Sequence, residues 1–167
     1  KVVYARMLLN VFGILNSIQA VHGDFTPRDF VHMRGVATDT YSPFVLIRGA
    51  LMRLWGIGPS GGSLTIDTNG LSNMNAIACN FVVQHERRTG QVAGPNTMEF
   101  FFKVVTALLY GDDVQAATKV DWFNFTTVRD TYADVLIKMT PASKDGKDYE
   151  FKPMVDCDFI KRGWVWD

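Results

Sequence analysis

Two adjacent carboxylates lie inside an apolar segment, Thr106-Ala107-Leu108-Leu109-Tyr110-Gly111-Asp112-Asp113-Val114-Gln115-Ala116-Ala117. The apolar residues on either side predict two short strands joined by a Gly-Asp-Asp turn, with acid at the tip of the hairpin. Paired carboxylates at a tight turn repel each other, so this oxygen-only site suits a hard divalent cation such as Mg²⁺. Such a site would serve metal-assisted phosphoryl transfer. The alternative is a plain turn, because Gly and Asp are common turn residues.

A glycine-rich loop, Pro59-Ser60-Gly61-Gly62-Ser63-Leu64-Thr65, is the second candidate site. It enters a long helix that the sequence predicts from about Leu64 to Arg88. Loops of this kind present backbone amides and hydroxyls to a phosphate or a sugar. The alternative is a linker with a helix cap. One face of the predicted helix is unusually polar for its length, with Ile66, Asn69, Asn73, Ile77, Asn80 and Val83.

The remaining elements must position these two segments. Helical spacing predicts a first helix ending near His22-Gly23, and Thr26-Pro27 predicts the start of a second helix ending between Thr40 and Pro43. After these come a hairpin broken at Gly49, a loop over 89–96, core phenylalanines at 100–102, a helix through Val128 and Val135, a strand over 136–139, and a last hairpin from strands 150–152 and 159–166. This order predicts an α+β fold, with helices packed behind an antiparallel sheet.

Composition limits the classes of protein to consider. The chain has 167 residues, of which 47% are hydrophobic and 20% charged, as expected of one globular domain. Its formal net charge is zero, so the strong basicity of many nucleic-acid binders is absent from the chain as a whole. Cys79 and Cys157 are far apart, which gives no support for a zinc site and favours a reducing compartment. The sequence shows neither a signal segment nor a membrane-spanning run. It starts at Lys1 inside a predicted helix, and we therefore expect a fragment of a longer protein.

Four patterns, taken in order, resemble the palm of a viral RNA-dependent RNA polymerase. They are Ser60-Gly61 with Thr65 and Asn69, Tyr110-Gly111-Asp112-Asp113, Thr140-Pro141-Ala142-Ser143-Lys144, and Phe159-Ile160-Lys161-Arg162. The resemblance is to the picorna-like superfamily, and Met33-Arg34-Gly35-Val36-Ala37-Thr38-Asp39 is most similar to marnavirus-type polymerases. It spans the chain from about residue 25 onward. It implies a polymerase palm, in which helices pack on one face of an antiparallel sheet with an RRM-like core.

The resemblance implies a role for each matching residue. Asp112 and Asp113 match motif C, in which the first aspartate ligates the catalytic Mg²⁺ and the second assists. Lys144 matches the motif D lysine, which protonates the leaving pyrophosphate. The remaining matches fall in two groups: Ser60, Gly61, Thr65 and Asn69 in the nucleotide-binding motif B, and Phe159, Lys161 and Arg162 in motif E, which supports the primer. An amide such as Asn69 suits a ribose 2′-hydroxyl, which both donates and accepts hydrogen bonds. The chain departs from the family at Ser143, where Asp is more frequent, and at Gly70, where Ser is usual.

Motif A of such a palm needs an aspartate at the end of a strand and a second one five residues later. Asp24 and Asp29 have this spacing, but Asp24 follows a predicted helix and Thr26-Pro27 begins another. We therefore predict that both acids only cap a surface turn and that motif A lies upstream of Lys1. On this prediction residues 1–167 are a partial palm domain with motifs B, C, D and E, without motif A, fingers and thumb, and inactive alone.

The function implied is RNA-directed RNA polymerase activity, a nucleotidyl transfer to an RNA 3′-hydroxyl by a two-metal mechanism in viral RNA replication. The expected cofactor is Mg²⁺, with Mn²⁺ as an alternative. The expected partners are the RNA template and primer, nucleoside triphosphates, and the fingers and thumb of the same polyprotein, in a replication complex in the host cytoplasm. Two rivals stay open: a reverse transcriptase palm, against which Asn69 and the Ser60-Gly61 loop argue, and a non-catalytic globular domain whose Gly-Asp-Asp is only a turn.

Overall fold

The computed structural model describes residues 2–55, 65–142, 151–160 and 162–163. These residues fold into helices and short antiparallel strand pairs, which confirms the predicted α+β class. The elements are α1 (Val2–His22), α2 (Pro27–Tyr41), β1 (Phe44–Ile47), β2 (Ala50–Arg53), α3 (Thr65–Thr89), α4 (Pro95–Val104), β3 (Val105–Tyr110), β4 (Asp113–Thr118), α5 (Phe125–Ala133), a 3-10 turn (Met154–Asp156), β5 (Asp158–Phe159) and β6 (Arg162–Gly163). Among the described helices, none has the length and apolar character needed to cross a membrane.

The chain divides inside α3 into two compact units, Lys1–Ser72 and Asn73–Asp167. In the first unit α1 packs against α2, and the rings of Phe12 and Tyr41 meet edge to face with centroids 5.4 Å apart. The apolar positions of α1 that the helical spacing singles out include Leu8 and Val11, and both are fully buried. The predicted end of the first helix and start of the second are therefore confirmed.

A tight hairpin, β1–β2, follows α2 in the first unit. The residues that face each other across it run from Phe44 with Arg53 to Ile47 with Ala50, so Arg48 and Gly49 form a two-residue turn. Both turn residues have positive φ, +49° and +83° respectively. Positive φ at both positions is the signature of a type I′ turn, whose twist matches that of the strands. The predicted hairpin with its break at Gly49 is confirmed.

The second unit is organised around Phe81 of α3, which is fully buried. The rings of Phe101, Trp122 and Phe123 lie 5.2, 5.0 and 5.1 Å from the Phe81 ring, centroid to centroid. Aromatic pairs at this separation add to the stabilisation from burial alone. The same core includes Ile77, Val105 and Val128. It therefore joins α3, α4, β3 and α5 into one packed unit.

Two amides on the polar face of α3 are buried in the same unit. The Nδ2 of Asn80 donates a hydrogen bond to the backbone oxygen of Val128, 2.9 Å away, and the Nε2 of Gln84 donates to the Oδ1 of Asn80 at 2.7 Å. A buried amide is tolerated only when its polar atoms are paired. Asn80, on the polar face that the sequence shows, therefore links α3 to α5.

Helix α4 is absent from the sequence prediction, which has a loop over 89–96 followed directly by core phenylalanines. The structure begins the helix at Pro95 after Gly94, and the hydroxyl of Thr97 accepts a hydrogen bond from the Gly94 N–H at 3.3 Å. Proline at the first helical position was the available signal. Because the segment is helical, only Phe101 is buried, while Phe102 is 66% exposed.

The predicted strand over 136–139 is not formed. Leu136 has φ +59°, its N–H donates to the Ala133 carbonyl, and the Ile137 N–H donates to the Tyr132 carbonyl. These two bonds around a left-handed residue are a Schellman motif, so the segment closes α5 instead of starting a strand. The last hairpin also differs. Its strands β5 and β6 pair at Asp158–Phe159 and Arg162–Gly163, so the hairpin forms around the start of the predicted second strand, whereas Phe151 and Lys152 are outside any strand.

The strands of the described residues pair two by two, as β1–β2, β3–β4 and β5–β6. Each pair is antiparallel. No ladder in these residues joins them into the single antiparallel sheet that the sequence predicts. The α+β class therefore holds, whereas the RRM-like palm core stays a prediction.

Candidate functional site

The acidic segment forms the hairpin that the sequence predicts. Strand β3 pairs with β4 in a register that places Tyr110 opposite Asp113, which leaves Gly111 and Asp112 as the two turn residues. Gly111 has φ +61°, and a Cβ built on it would meet no atom within 4 Å. The backbone conformation, not a lack of space, is therefore what favours glycine here, as at the first position of a type II′ turn. Both carboxylates lie at the exposed end of the hairpin.

One face of the β3–β4 hairpin is fixed by the core of the second unit. Val105 is buried, and Leu109 and Val114, which face each other across the strands, pack against the core cluster. The opposite face alternates with it, and there Leu108 and Tyr110 stay 41% and 49% exposed. Packing on one face holds the strands still, so the acids at the tip project from a supported element.

The turn itself is tied to α3. The Nδ2 of Asn73 donates a hydrogen bond to the backbone oxygen of Gly111 at 2.8 Å. This bond joins residues distant in sequence and fixes the carbonyl of the residue directly before Asp112. Asn73 belongs to the polar helix face that the sequence shows, but the sequence gives it no role in the site. The repeat of amides at helical spacing was the signal for it.

The two acids fit a hard divalent cation by the chemistry of their donors. In the part of the chain that the structure describes, no group of three or more His, Cys, Asp or Glu side chains is placed to hold a metal ion. Mg²⁺, however, is usually held by one or two carboxylates together with waters and substrate phosphates. Asp112 and Asp113 are two such carboxylates, adjacent and exposed. A metal that also binds a phosphorylated substrate is therefore the kind this tip can hold.

Of the predicted nucleotide-binding residues, the structure describes two. Thr65 begins α3, Asn69 follows one turn later on the same face, and both are half-buried. Helix α3 continues without interruption through Gly70, which replaces the family's usual serine. Ser60 and Gly61 lie outside the described residues, as do Lys144 and Lys161. The roles of all these residues stay predictions.

The structure brings together two of the predicted primer-binding residues. Phe159 and Arg162 are direct cross-strand partners in the β5–β6 hairpin; Arg162 is exposed and Phe159 is half-buried. Strand β5 also approaches β4, with Cα atoms within 8 Å. The hairpin that carries these two residues thus lies beside the strand that begins at Asp113.

Of the two acids that the sequence predicts to cap a surface turn, Asp29 does so at the start of α2. The Asp29 carboxylate accepts hydrogen bonds from the backbone N–H and the hydroxyl of Thr26, at 2.8 and 2.6 Å. This is a capping box at the start of α2, and it lowers the pKa of Asp29, mainly through the bond from the Thr26 hydroxyl. Asp24 is exposed between the two helices. Asp29 is therefore a helix cap.

Comparison with known proteins identifies viral relatives. No protein-family model matches the chain. The chain is 31% identical over 132 residues to the RNA1 polyprotein of Andean potato mottle virus, an alignment that covers 74% of this chain and 17% of that polyprotein. It is 36% identical over 108 residues to the RNA1 polyprotein of Blackcurrant reversion association virus, covering 62% of this chain and 5% of the relative.

A third relative, the RNA1 polyprotein of Satsuma dwarf virus, is 26% identical over 137 residues, which cover 80% of this chain and 6% of that protein. The chain therefore matches only a small part, 17% or less, of the length of these relatives. What the comparisons establish is that the chain is similar to a segment of viral RNA1 polyproteins.

Proposed function

We propose that this chain is part of the palm of a picorna-like viral RNA-directed RNA polymerase. The observation that carries the proposal is the pair of exposed carboxylates, Asp112 and Asp113, at the tip of a core-supported hairpin whose turn is held by Asn73. The similarity to viral RNA1 polyproteins supports a role in viral RNA replication. The narrower marnavirus-type assignment rests on residues 33–39 alone.

In this proposal each side chain has a defined task. Asp112 holds the catalytic Mg²⁺ and Asp113 assists it. When bound, the divalent cations lower the pKa of the attacking 3′-hydroxyl and neutralise charge on the phosphates. The 3′-hydroxyl gives its proton to solvent water, a new bond forms between the 3′-oxygen and the α-phosphorus of the nucleotide, and the bond from that phosphorus to the pyrophosphate oxygen breaks. Lys144 then gives a proton to the departing pyrophosphate and stabilises its charge.

Substrate recognition comes from other elements of the chain. Asn69, with Thr65 one turn before it, is proposed to test the ribose 2′-hydroxyl, because an amide can both donate to it and accept from it. Ser60 and Gly61 are proposed to contact the incoming nucleotide from their loop. The β5–β6 hairpin beside β4, with Phe159, Lys161 and Arg162, is proposed to support the primer end. The fingers and thumb of the same polyprotein would complete the enzyme in the host cytoplasm.

Metal binding by the 167-residue chain tests the first step of the proposal. Mn²⁺ can be titrated and its free fraction followed by electron paramagnetic resonance. Asp112→Asn should weaken Mn²⁺ binding by roughly tenfold or more, since the site loses a charged ligand. Asp121→Asn is the matched control, because it removes one exposed carboxylate from the same unit. Unchanged Mn²⁺ binding and stability in Asp112→Asn would favour the non-catalytic domain instead.

Primer extension tests the reaction itself. It uses the longer polypeptide of which we propose that this chain is a part. Asp112→Asn should reduce incorporation of ribonucleotides by about 100-fold or more, as expected for loss of a group that stabilises charge in the transition state. Asn69→Ala should lower the preference for ribonucleotides over deoxyribonucleotides. A parental enzyme that prefers deoxyribonucleotides would support the reverse transcriptase instead.

A further inference from the structure

The sequence of the acidic turn permits two backbone conformations. A two-residue hairpin turn is type I′ when both of its residues have positive φ, and type II′ when only the first has. The two types differ mainly by a flip of the peptide group between these residues. Arg48 and Gly49 form a type I′ turn, whereas in the acidic turn Gly111 has positive φ and Asp112 does not. Aspartate tolerates positive φ, so the acidic turn could also be type I′.

The hydrogen bond from Asn73 favours one of the two conformations. Its Nδ2 donates to the Gly111 carbonyl at 2.8 Å, and this carbonyl belongs to the peptide group that differs between the turn types. A flip would carry the oxygen to the other side of the turn and break the bond. One neutral hydrogen bond shifts such an equilibrium by roughly two- to tenfold. Asn73 therefore favours the type II′ turn that the structure shows.

The same peptide group determines where Asp112 lies. A peptide unit is planar, so the direction of its oxygen fixes the plane that also contains the nitrogen and Cα of Asp112. Asp113 has a different support, because it pairs with Tyr110 at the end of the strand ladder. One carboxylate is thus held by β4 and the other by Asn73 of α3. Loss of the Asn73 donor should therefore move one carboxylate relative to the other while the strands stay paired.

The relative position of two carboxylates affects which cation they bind. Mg²⁺ requires near-ideal octahedral geometry, whereas Ca²⁺ accepts flexible and irregular sets of oxygen ligands. A turn restricted to one conformation therefore favours Mg²⁺. A turn that exchanges between two conformations should lose more of its affinity for Mg²⁺ than of its affinity for Ca²⁺.

We propose that Asn73 is a positioning residue of the metal site, which selects the type II′ turn and thereby the preference for Mg²⁺ over Ca²⁺. This role rests on the proposed function, since it requires that Asp112 and Asp113 hold a cation. Asn73 acts through the Gly111 carbonyl and is not itself a ligand.

Competition between cations tests the preference in the 167-residue chain. Mg²⁺ or Ca²⁺ displaces Mn²⁺, and the free Mn²⁺ is followed by electron paramagnetic resonance. The variant is Asn73→Leu, which loses the donor but keeps a side chain of similar volume. It should bind Mg²⁺ about fivefold more weakly than the parent, and Ca²⁺ within about twofold of the parent.

Nuclear Overhauser effects, recorded without metal, test the turn itself. In a type II′ turn an α proton of Gly111 lies next to the amide proton of Asp112, whereas the flipped peptide brings the two amide protons together. The parent should show the first contact, and Asn73→Leu should show both. A role limited to overall stability would change neither this pattern nor the ratio of the two cation affinities.

The matched control is Asn75→Leu, which makes the same change on another face of α3 and should keep the parental turn and cation affinities. If Asn73→Leu does not fold, Asn73→Ala gives the same two readouts. The proposal is overturned if the turn contacts of the variant stay parental, or if its Mg²⁺ and Ca²⁺ affinities change by the same factor. Either result leaves the polymerase proposal standing. A parent that binds none of the three cations rejects the metal site of the proposed function, and the role of Asn73 with it.

Discussion

The two hairpins β1–β2 and β3–β4 have similar construction but opposite surroundings. Each has two antiparallel strands and a two-residue turn with a glycine at positive φ. The β3–β4 hairpin packs one face on the core of its unit and presents two carboxylates at its tip, with Asn73 bonded to its turn. The β1–β2 hairpin exposes both faces and presents Arg48 at its tip.

This difference fits the metal-binding task that we propose for the β3–β4 hairpin. Metal-assisted chemistry needs ligands held in a narrow range of positions, which a packed face and a fixed turn supply. A hairpin therefore has no function by itself; its packing and the charge at its tip decide which function it can carry.

The largest expected effect concerns the core under the acidic hairpin. Phe101→Ala should lower the free energy of unfolding of the second unit by about 3–5 kcal/mol, because it leaves a cavity beside Phe81 and Val105. Phe44→Ala, at the 62% exposed ring of the other hairpin, should change the free energy of unfolding of the first unit by less than about 0.5 kcal/mol. Urea unfolding of both variants measures this contrast. Equal losses in the two variants would show that β1–β2 is packed as firmly as β3–β4.

A smaller effect is expected at the bond that fixes the acidic turn. Asn73→Ala removes the donor to the Gly111 carbonyl and should destabilise the second unit by roughly 1 kcal/mol. Hydrogen exchange of the backbone amides of Asp112 and Asp113 should accelerate, since the turn opens more easily. Asn75→Ala, on another face of α3, is the control. If both variants exchange at the parental rate, the strands alone hold the turn.

The turns themselves provide the next contrast. Gly111→Ala forces a side chain into φ +61° and should destabilise the chain by about 1 kcal/mol, although there is room for the methyl group. Arg48→Asn places a favoured residue at φ +49° and should stabilise it by about 0.5 kcal/mol. Thermal unfolding of the two variants should therefore show shifts of opposite sign. Shifts of the same sign would mean that backbone strain does not separate the two turns.

The smallest effect separates a capping acid from the proposed metal-binding acids. The pKa of Asp29 is lowered in the folded chain, so its carboxylate contributes stability above the ordinary aspartate pKa of about 3.9, and this contribution is lost as the pH falls through the lowered value. Asp29→Asn should remove that part of the acid dependence of unfolding, followed by circular dichroism. Mn²⁺ affinity should stay parental, in contrast to Asp112→Asn. A loss of Mn²⁺ binding in Asp29→Asn would show instead that Asp29 contributes to the metal site.

Local signals predicted most of the elements. Thr26-Pro27 predicted the start of α2, Gly49 predicted the turn of β1–β2, and Gly111 with Asp112 predicted the turn of β3–β4. Caps and turns can be predicted in this way because they depend on residues within one or two positions. The misses have an equally local cause. Pro95 was assigned to a loop although it begins α4, and Leu136, a residue that rarely adopts positive φ, ends α5 where a strand was expected.

The sequence by itself determined the acidic tip, the polar face of α3, the arginine-aromatic composition of residues 44–55 and the resemblance to polymerase palms. Only the tertiary structure decided that Asn73 is bonded to the acidic turn while Asn80 is a buried tie to α5, since both amides follow the same helical spacing. It also decided that β3–β4 packs on a core while β1–β2 remains exposed. The physical reason is that spacing defines a face, whereas burial and hydrogen-bond partners depend on residues far away in the chain.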